Sequence, residues 1–113
     1  MKMLTKALRE QLLRNGRAPD HERKEHFPVV KLFTPDAQGT WLLTELSPDD
    51  HDLAFGLCDT GQGFPELGTV RISELAQTCG FLGLHIERDR HFTPTKSLRA
   101  YADEAREHQR IVT

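Results

Sequence analysis

Four residues at alternate positions, His85, Glu87, Asp89 and His91, offer imidazole and carboxylate groups of the kind that hold zinc or manganese. In an extended segment all four project to one side, and Ile86, Arg88, Arg90 and Phe92 project to the other. Six residues of strand cover about 20 Å while metal ligands sit about 2 Å from the ion, so only neighbours such as Glu87 with Asp89, or Asp89 with His91, can share one. Further ligands would have to come from His51, Asp59 or Glu66. A divalent metal held through Glu87, Asp89 and His91 would activate water, which makes a metal-assisted hydrolase the second functional reading. The preferred reading of the same residues is a solvated strand face with its carboxylates paired to arginines, and no cofactor is expected.

Two shorter patterns suggest other chemistry. Asp59-Thr60-Gly61 reproduces the triplet of the aspartic proteases, whose mechanism needs two carboxylates sharing one proton, one from each subunit in a small homodimer. Gln62 follows where those enzymes carry a small residue, and a three-residue match is cheap in any chain. Cys58 could pair with His85 or His91 as an activated nucleophile, but beside Ala54 and Gly56 on a strand a small buried thiol is the ordinary explanation. Gly61-Gln62-Gly63 has neither dinucleotide nor Walker spacing, so positive φ or a bulge is expected there rather than a phosphate cradle. The loop is nevertheless the best candidate binding surface, because it sets Asp59, Gln62 and Glu66 beside Phe64 and Pro65, and connecting segments carry function more often than cores. Arg88 and Lys96 complete the candidate binding set.

The elements that must position these residues follow from periodicity. Leu4, Ala7, Leu8 and Leu12 recur at helical spacing, and Asn15-Gly16 reads as the helix stop. Residues 17–26 carry six charges without periodicity and read as a solvated loop. Val29 to Thr34 and Thr40 to Leu46 predict a hairpin about Pro35 to Gly39, its second strand central because both faces are largely apolar, with Trp41, Leu43 and Glu45 on one side and Leu42, Thr44 and Leu46 on the other. Leu53 to Asp59 and Leu67 to Ile72 predict two further strands. Ser73 is expected to cap a short helix ended by Gly80, and Thr93-Pro94 to start a last helix running to about Gln109, with an Arg99–Asp103 surface pair. The expected fold is α+β: a mostly antiparallel sheet of four or five strands, helices at both ends and one short helix between strands, in a single domain over residues 1–113.

Charge is distributed unevenly. Residues 1–31 carry eight Lys/Arg against four Asp/Glu, residues 32–75 one against eight, and residues 76–113 six against five, which leaves a net −2. The basic start, with Lys2, Lys6, Arg9, Arg14, Arg17, Arg23 and Lys24, could contact phosphates, so nucleic-acid binding is the third reading. It lacks interleaved aromatics for stacking. Mimicry of DNA by the acidic middle needs dense negative charge over most of a surface, which a net of −2 does not supply. The longest apolar runs fall far short of the roughly 18 residues of a membrane span, and Arg9 and Glu10 break the apolar core a secretory signal would need. Two cysteines without CxxC spacing fit a reducing cytoplasm.

The stretches PVVKLFTPDAQGTWLLTEL, DLAFGLCDTGQGFPELGTVRISEL and GLHIERDRHFTPTKSLRAYA resemble the bacterial domain-of-unknown-function 2958 family from Leu4 onward. Thr60 departs from that family's usual aliphatic residue, so the protease-like triplet is no part of the resemblance. The resemblance implies an accessory role on a plasmid or conjugative element in a bacterial cytoplasm, and it supplies no catalytic residues. The leading expectation is therefore a non-enzymatic binding protein with a protein partner, its oligomeric state left open.

Overall fold

Helical spacing of Leu8 and Leu12, with Thr5 accepting a hydrogen bond from the Leu8 N–H at 3.2 Å, produces the first helix, α1 (Lys6–Arg17). The computed structural model of the chain describes residues 3–23 and 25–113, so the candidate phosphate contacts Lys2 and Lys24 lie outside the described residues. α1 runs past the expected stop at Asn15-Gly16. Gly16 is buried where a Cβ would collide with the Leu46 carbonyl, and the Asn15 amide donates to the Thr44 carbonyl at 2.9 Å. The pair docks the helix on the sheet instead of ending it. Within the expected loop one helical turn forms, α2 (Asp20–Arg23), from which Arg23 reaches the Gly16 carbonyl at 3.2 Å.

Five strands follow: β1 (Val30–Phe33), β2 (Thr40–Leu46), β3 (Leu53–Asp59), β4 (Glu66–Arg71) and β5 (Glu87–Arg88). They form one antiparallel sheet in the order β4-β3-β2-β1-β5, as the α+β reading expects. Thr34 closes the β1–β2 turn by accepting from the Gly39 N–H at 2.8 Å. The β2–β3 ladder slips between Leu43 and Glu45, a bulge at Thr44. That extra residue corrects the expected alternation: Leu46 joins Trp41 and Leu43 on one face, and Glu45 turns to the face of Leu42.

Each face has its own core. Leu12 of α1 packs with Val30, Leu32, Trp41, Leu43, Leu46, Ile72 and Leu75 on the first, which also takes the short helix α3 (Ile72–Ala76). Ser73 does not cap α3. The carboxylate of Asp52, from the β2–β3 turn, accepts from the Ser73 N–H at 2.9 Å and the Ser73 hydroxyl at 2.7 Å, so the cap arrives through space rather than along the chain. Gly80 lies beyond the helix, against the Asp36 carboxylate.

On the second face Leu42 and Leu57 pack under the last helix, α4 (Leu98–His108), with Tyr101, Ala102, Ala105 and Ile111. α4 starts at Ser97, whose hydroxyl accepts from the Ala100 N–H at 3.2 Å, and not at Thr93-Pro94. The intervening residues are held as a loop by the Thr95 N–H donating to the Tyr101 hydroxyl at 3.1 Å. Asp103 pairs with Arg106 at 2.9 Å instead of Arg99, which is left at the start of the helix.

Candidate functional site

The expected binding loop and the expected metal strand sit at opposite edges of the sheet. Glu66 is on β4 and Glu87 on β5, with three strands between them, a separation of roughly 19 Å at the usual strand spacing. Glu87, Asp89 and His91 therefore gain no ligand from Asp59 or Glu66. The alternation that would align them also stops early: β5 ends at Arg88, and Asp89 closes a turn by accepting from the His91 N–H at 2.9 Å while lying 3.5 Å from the Lys31 ammonium. Among the described residues no three His, Cys, Asp or Glu side chains stand together as an ion would require.

Asp59 is a structural latch. Only 3% exposed, it accepts from the Gly61 N–H at 2.8 Å and from the Ile111 N–H at 3.1 Å, tying the β3–β4 loop to the C-terminal tail. Both oxygens are thus engaged by backbone, which removes the protease-like role of the Asp59-Thr60-Gly61 triplet. Gly61 and Gly63 take the positive φ expected of them, 87° and 88°. Pro65 is buried, whereas Gln62, Phe64 and Glu66 are exposed, Phe64 at 77%. Arg88 donates to the Met3 carbonyl at 3.0 Å on the α1 face. Lys96 lies on the α4 face, bonded to both Glu104 oxygens at 3.0 and 3.1 Å with its ammonium 5.0 Å from the Tyr101 ring centre. These two cations brace opposite sides of the sheet and do not form one surface.

Cys58 packs half-buried opposite Trp41, and burial pushes its thiol up, as suits a core residue. The contact with a histidine belongs to the other cysteine: the exposed Cys79 Sγ lies 3.5 Å from His85 Nδ1 at the neck of the loop Gly80 to Leu84. This loop is pinned from below. Buried Asp36 accepts from the Leu82 N–H at 2.7 Å and the Leu84 N–H at 3.2 Å, while Phe81 and Leu82 stand 83% and 71% exposed at its tip.

One concavity was missed by the sequence reading. It is an open cleft of about 650 Å³ on the α4 face, where the helix stops short of β4. Leu53, Phe55 and Leu67 with Leu98 make an apolar floor; Arg23, Glu45, Asp49 and Arg99 stand at the rim. The Thr44 bulge delivers Glu45 there, directly across from Phe55. Its carboxylate lies 3.6 Å from the Arg23 guanidinium, its side chain 15% exposed. Burial pushes the Glu45 carboxyl above its ordinary range, and Arg23 and His26 partly pull it back. The signal available in the sequence was a charged residue near the end of an otherwise uncharged central strand, Thr40-Trp41-Leu42-Leu43-Thr44-Glu45-Leu46. An apolar floor with a few polar groups at the rim suits recognition of an apolar or amphipathic partner.

Fold and site define an α+β chain with a five-stranded antiparallel sheet between helices and one partly uncovered face. The model of a protein family of unknown function, DUF2958, matches residues 3–112, and the chain belongs to that family. No curated protein and no solved structure matches it. Among the described residues no helix is long and apolar enough to cross a membrane.

Proposed function

We propose that this chain is a non-enzymatic binding protein whose partner is another protein, acting as an accessory factor of a plasmid or conjugative element in a bacterial cytoplasm. The mobile-element setting rests on the family resemblance. The observation that carries the binding reading is the open, apolar-floored cleft beside α4, bordered by the uncovered strand β4. Exposed apolar surface that a fold leaves in one place marks an interaction site more often than scattered exposure does. The protruding Phe81 and Leu82 add a second apolar contact of the same kind.

Site-specific photo-crosslinking in the native host tests it. A crosslinker at Thr69, on the cleft wall, is expected to give a discrete adduct that disappears when Leu67→Asp charges the floor, while the same group at Glu10 on the exposed side of α1 gives none. Adducts from Glu10 alone, or no adduct anywhere together with catalytic turnover by the purified protein, would sink the reading.

A further inference from the structure

We infer that the cleft and β4 together take an extended, basic segment of the partner, which adds to the sheet as a sixth strand along β4. This rests on the docking reading above and specifies its ligand. β4 is an outer strand, and its pairing with β3 runs without a slip from Leu53↔Arg71 to Cys58↔Glu66. Natural edge strands are protected by lysine, proline, bulges, shortness or a covering element. The interior of β4, Leu67-Gly68-Thr69-Val70, has no charge, no proline and no bulge, and among the described residues nothing hydrogen-bonds to its outer side. The other edge is guarded: β5 is two residues long and runs at once into Asp89 and Arg90.

Side-chain alternation then connects the edge to the cleft. Leu67 and Thr69 point to the α4 face beside Phe55 and Leu57, so a strand laid along β4 places every second side chain over the continuation of the apolar floor. On the opposite face Gly68 has open space around it, which leaves room for the alternate side chains of the same strand.

Charge selects the occupant. Asp20, Glu45 and Asp49 line the cleft with Arg23 and Arg99, while Glu66 begins β4 and Asp50 and Asp52 stand about Arg71 at its end, so six carboxylates face three cations. Arg71 is already shared by Asp50 at 2.8 Å and Asp52 at 3.7 Å. A second copy pairing β4 with β4 would bring two such acidic borders together, and nucleic acid would meet the same repulsion. A segment alternating apolar with Lys or Arg satisfies both the floor and the border.

Selection of random peptides of about ten residues on the intact protein tests this. Enriched peptides are expected to alternate apolar and basic residues, to slow hydrogen exchange of the β4 amides, and to lose binding when alternate peptide amides are N-methylated. Thr69→Lys, an exposed change that protects the edge by charge, is expected to weaken them by at least about tenfold. Enriched peptides of helical spacing or acidic character, sensitive to Leu67→Asp but not to N-methylation, would overturn strand addition and leave the docking reading intact. Peptides indifferent to both substitutions, or no enrichment, would also overturn it. So would a dimer by sedimentation that dissociates with Thr69→Lys, since the occupant would then be a second copy.

Discussion

The two faces of the sheet carry similar apolar floors but very different cover. A five-stranded sheet is about 19 Å across from first strand to last, and a helix with its side chains is about 10 Å wide, so one helix cannot shield a face. The first face solves this with α1, α3 and the segment carrying Ile86, and it buries Leu12, Val30, Leu32, Leu43 and Leu46 completely or nearly so. The second has α4 and a short C-terminal tail, which bury Leu42 and Leu57 but leave Phe55 half-buried and Leu67 exposed. The uncovered strip is thus a consequence of element count, and it falls on the side of the longer sheet edge.

Truncation should separate the faces most sharply. Leu43→Ala, in the closed core, is expected to cost about 2–5 kcal/mol through lost burial and the cavity left behind. Leu67→Ala on the open strip is expected to stay within about 1 kcal/mol. Urea unfolding measures both, and equal losses would mean that the strip is covered in solution.

A smaller effect probes how closely the closed face is packed. In a helix interior Gly→Ala usually gains about 1 kcal/mol of propensity. At Gly16 the sign is expected to reverse, with a loss of about 1–3 kcal/mol, because the new methyl group meets the Leu46 carbonyl. A stabilised Gly16→Ala would show that α1 stands further from β2 than contact with the Leu46 carbonyl allows.

Asp59→Ala addresses the tail that finishes the second face. It leaves the Gly61 and Ile111 N–H groups without their acceptor, for a cost of about 1–3 kcal/mol. Hydrogen exchange should quicken at Ile111 before it does in β2. Unchanged exchange at Ile111 would mean that the latch does not hold the tail.

Most of the fold was legible in the sequence because strand alternation and helical spacing are local. β3 falls where Leu53 to Asp59 predicts it, and β1, β2 and β4 lie within a residue or so of expectation. What the sequence hid was decided through space. Asp52 caps α3 from another turn, Gly16 serves contact and not termination, and the Thr44 bulge moves Glu45 to the other face. Of the candidate site, exposed Gln62, Phe64 and Glu66 border the β4 edge, and Asp59 and Pro65 turned inward. The cleft itself needed four separated segments to meet, and no short pattern announces that.

The smallest expected effect is the pH response of Glu45, and it has a definite sign. A carboxyl raised in the folded state binds its proton more tightly there than in the unfolded chain, so its contribution is most favourable at low pH and is lost as pH rises through the raised value. Asp50 and Asp52 behave oppositely. The Arg71 guanidinium beside Asp50 and the Ser73 hydroxyl on Asp52 hold both below their ordinary range, so their contribution is present at neutral pH and fades as pH falls through the lowered values. Both aspartates are partly exposed, which leaves them sensitive to salt. Glu45→Gln should therefore gain on the parent protein above the ordinary glutamate range and lose that advantage in mild acid, while Asp50→Asn should be weakest relative to the parent at neutral pH. Comparing unfolding curves of each variant with the parent across this range isolates the two signs. If Glu45→Gln shows no pH-dependent difference, Glu45 is solvated and the second face is more open than the cleft geometry implies; a difference of the opposite sign would make the Arg23 contact outweigh burial.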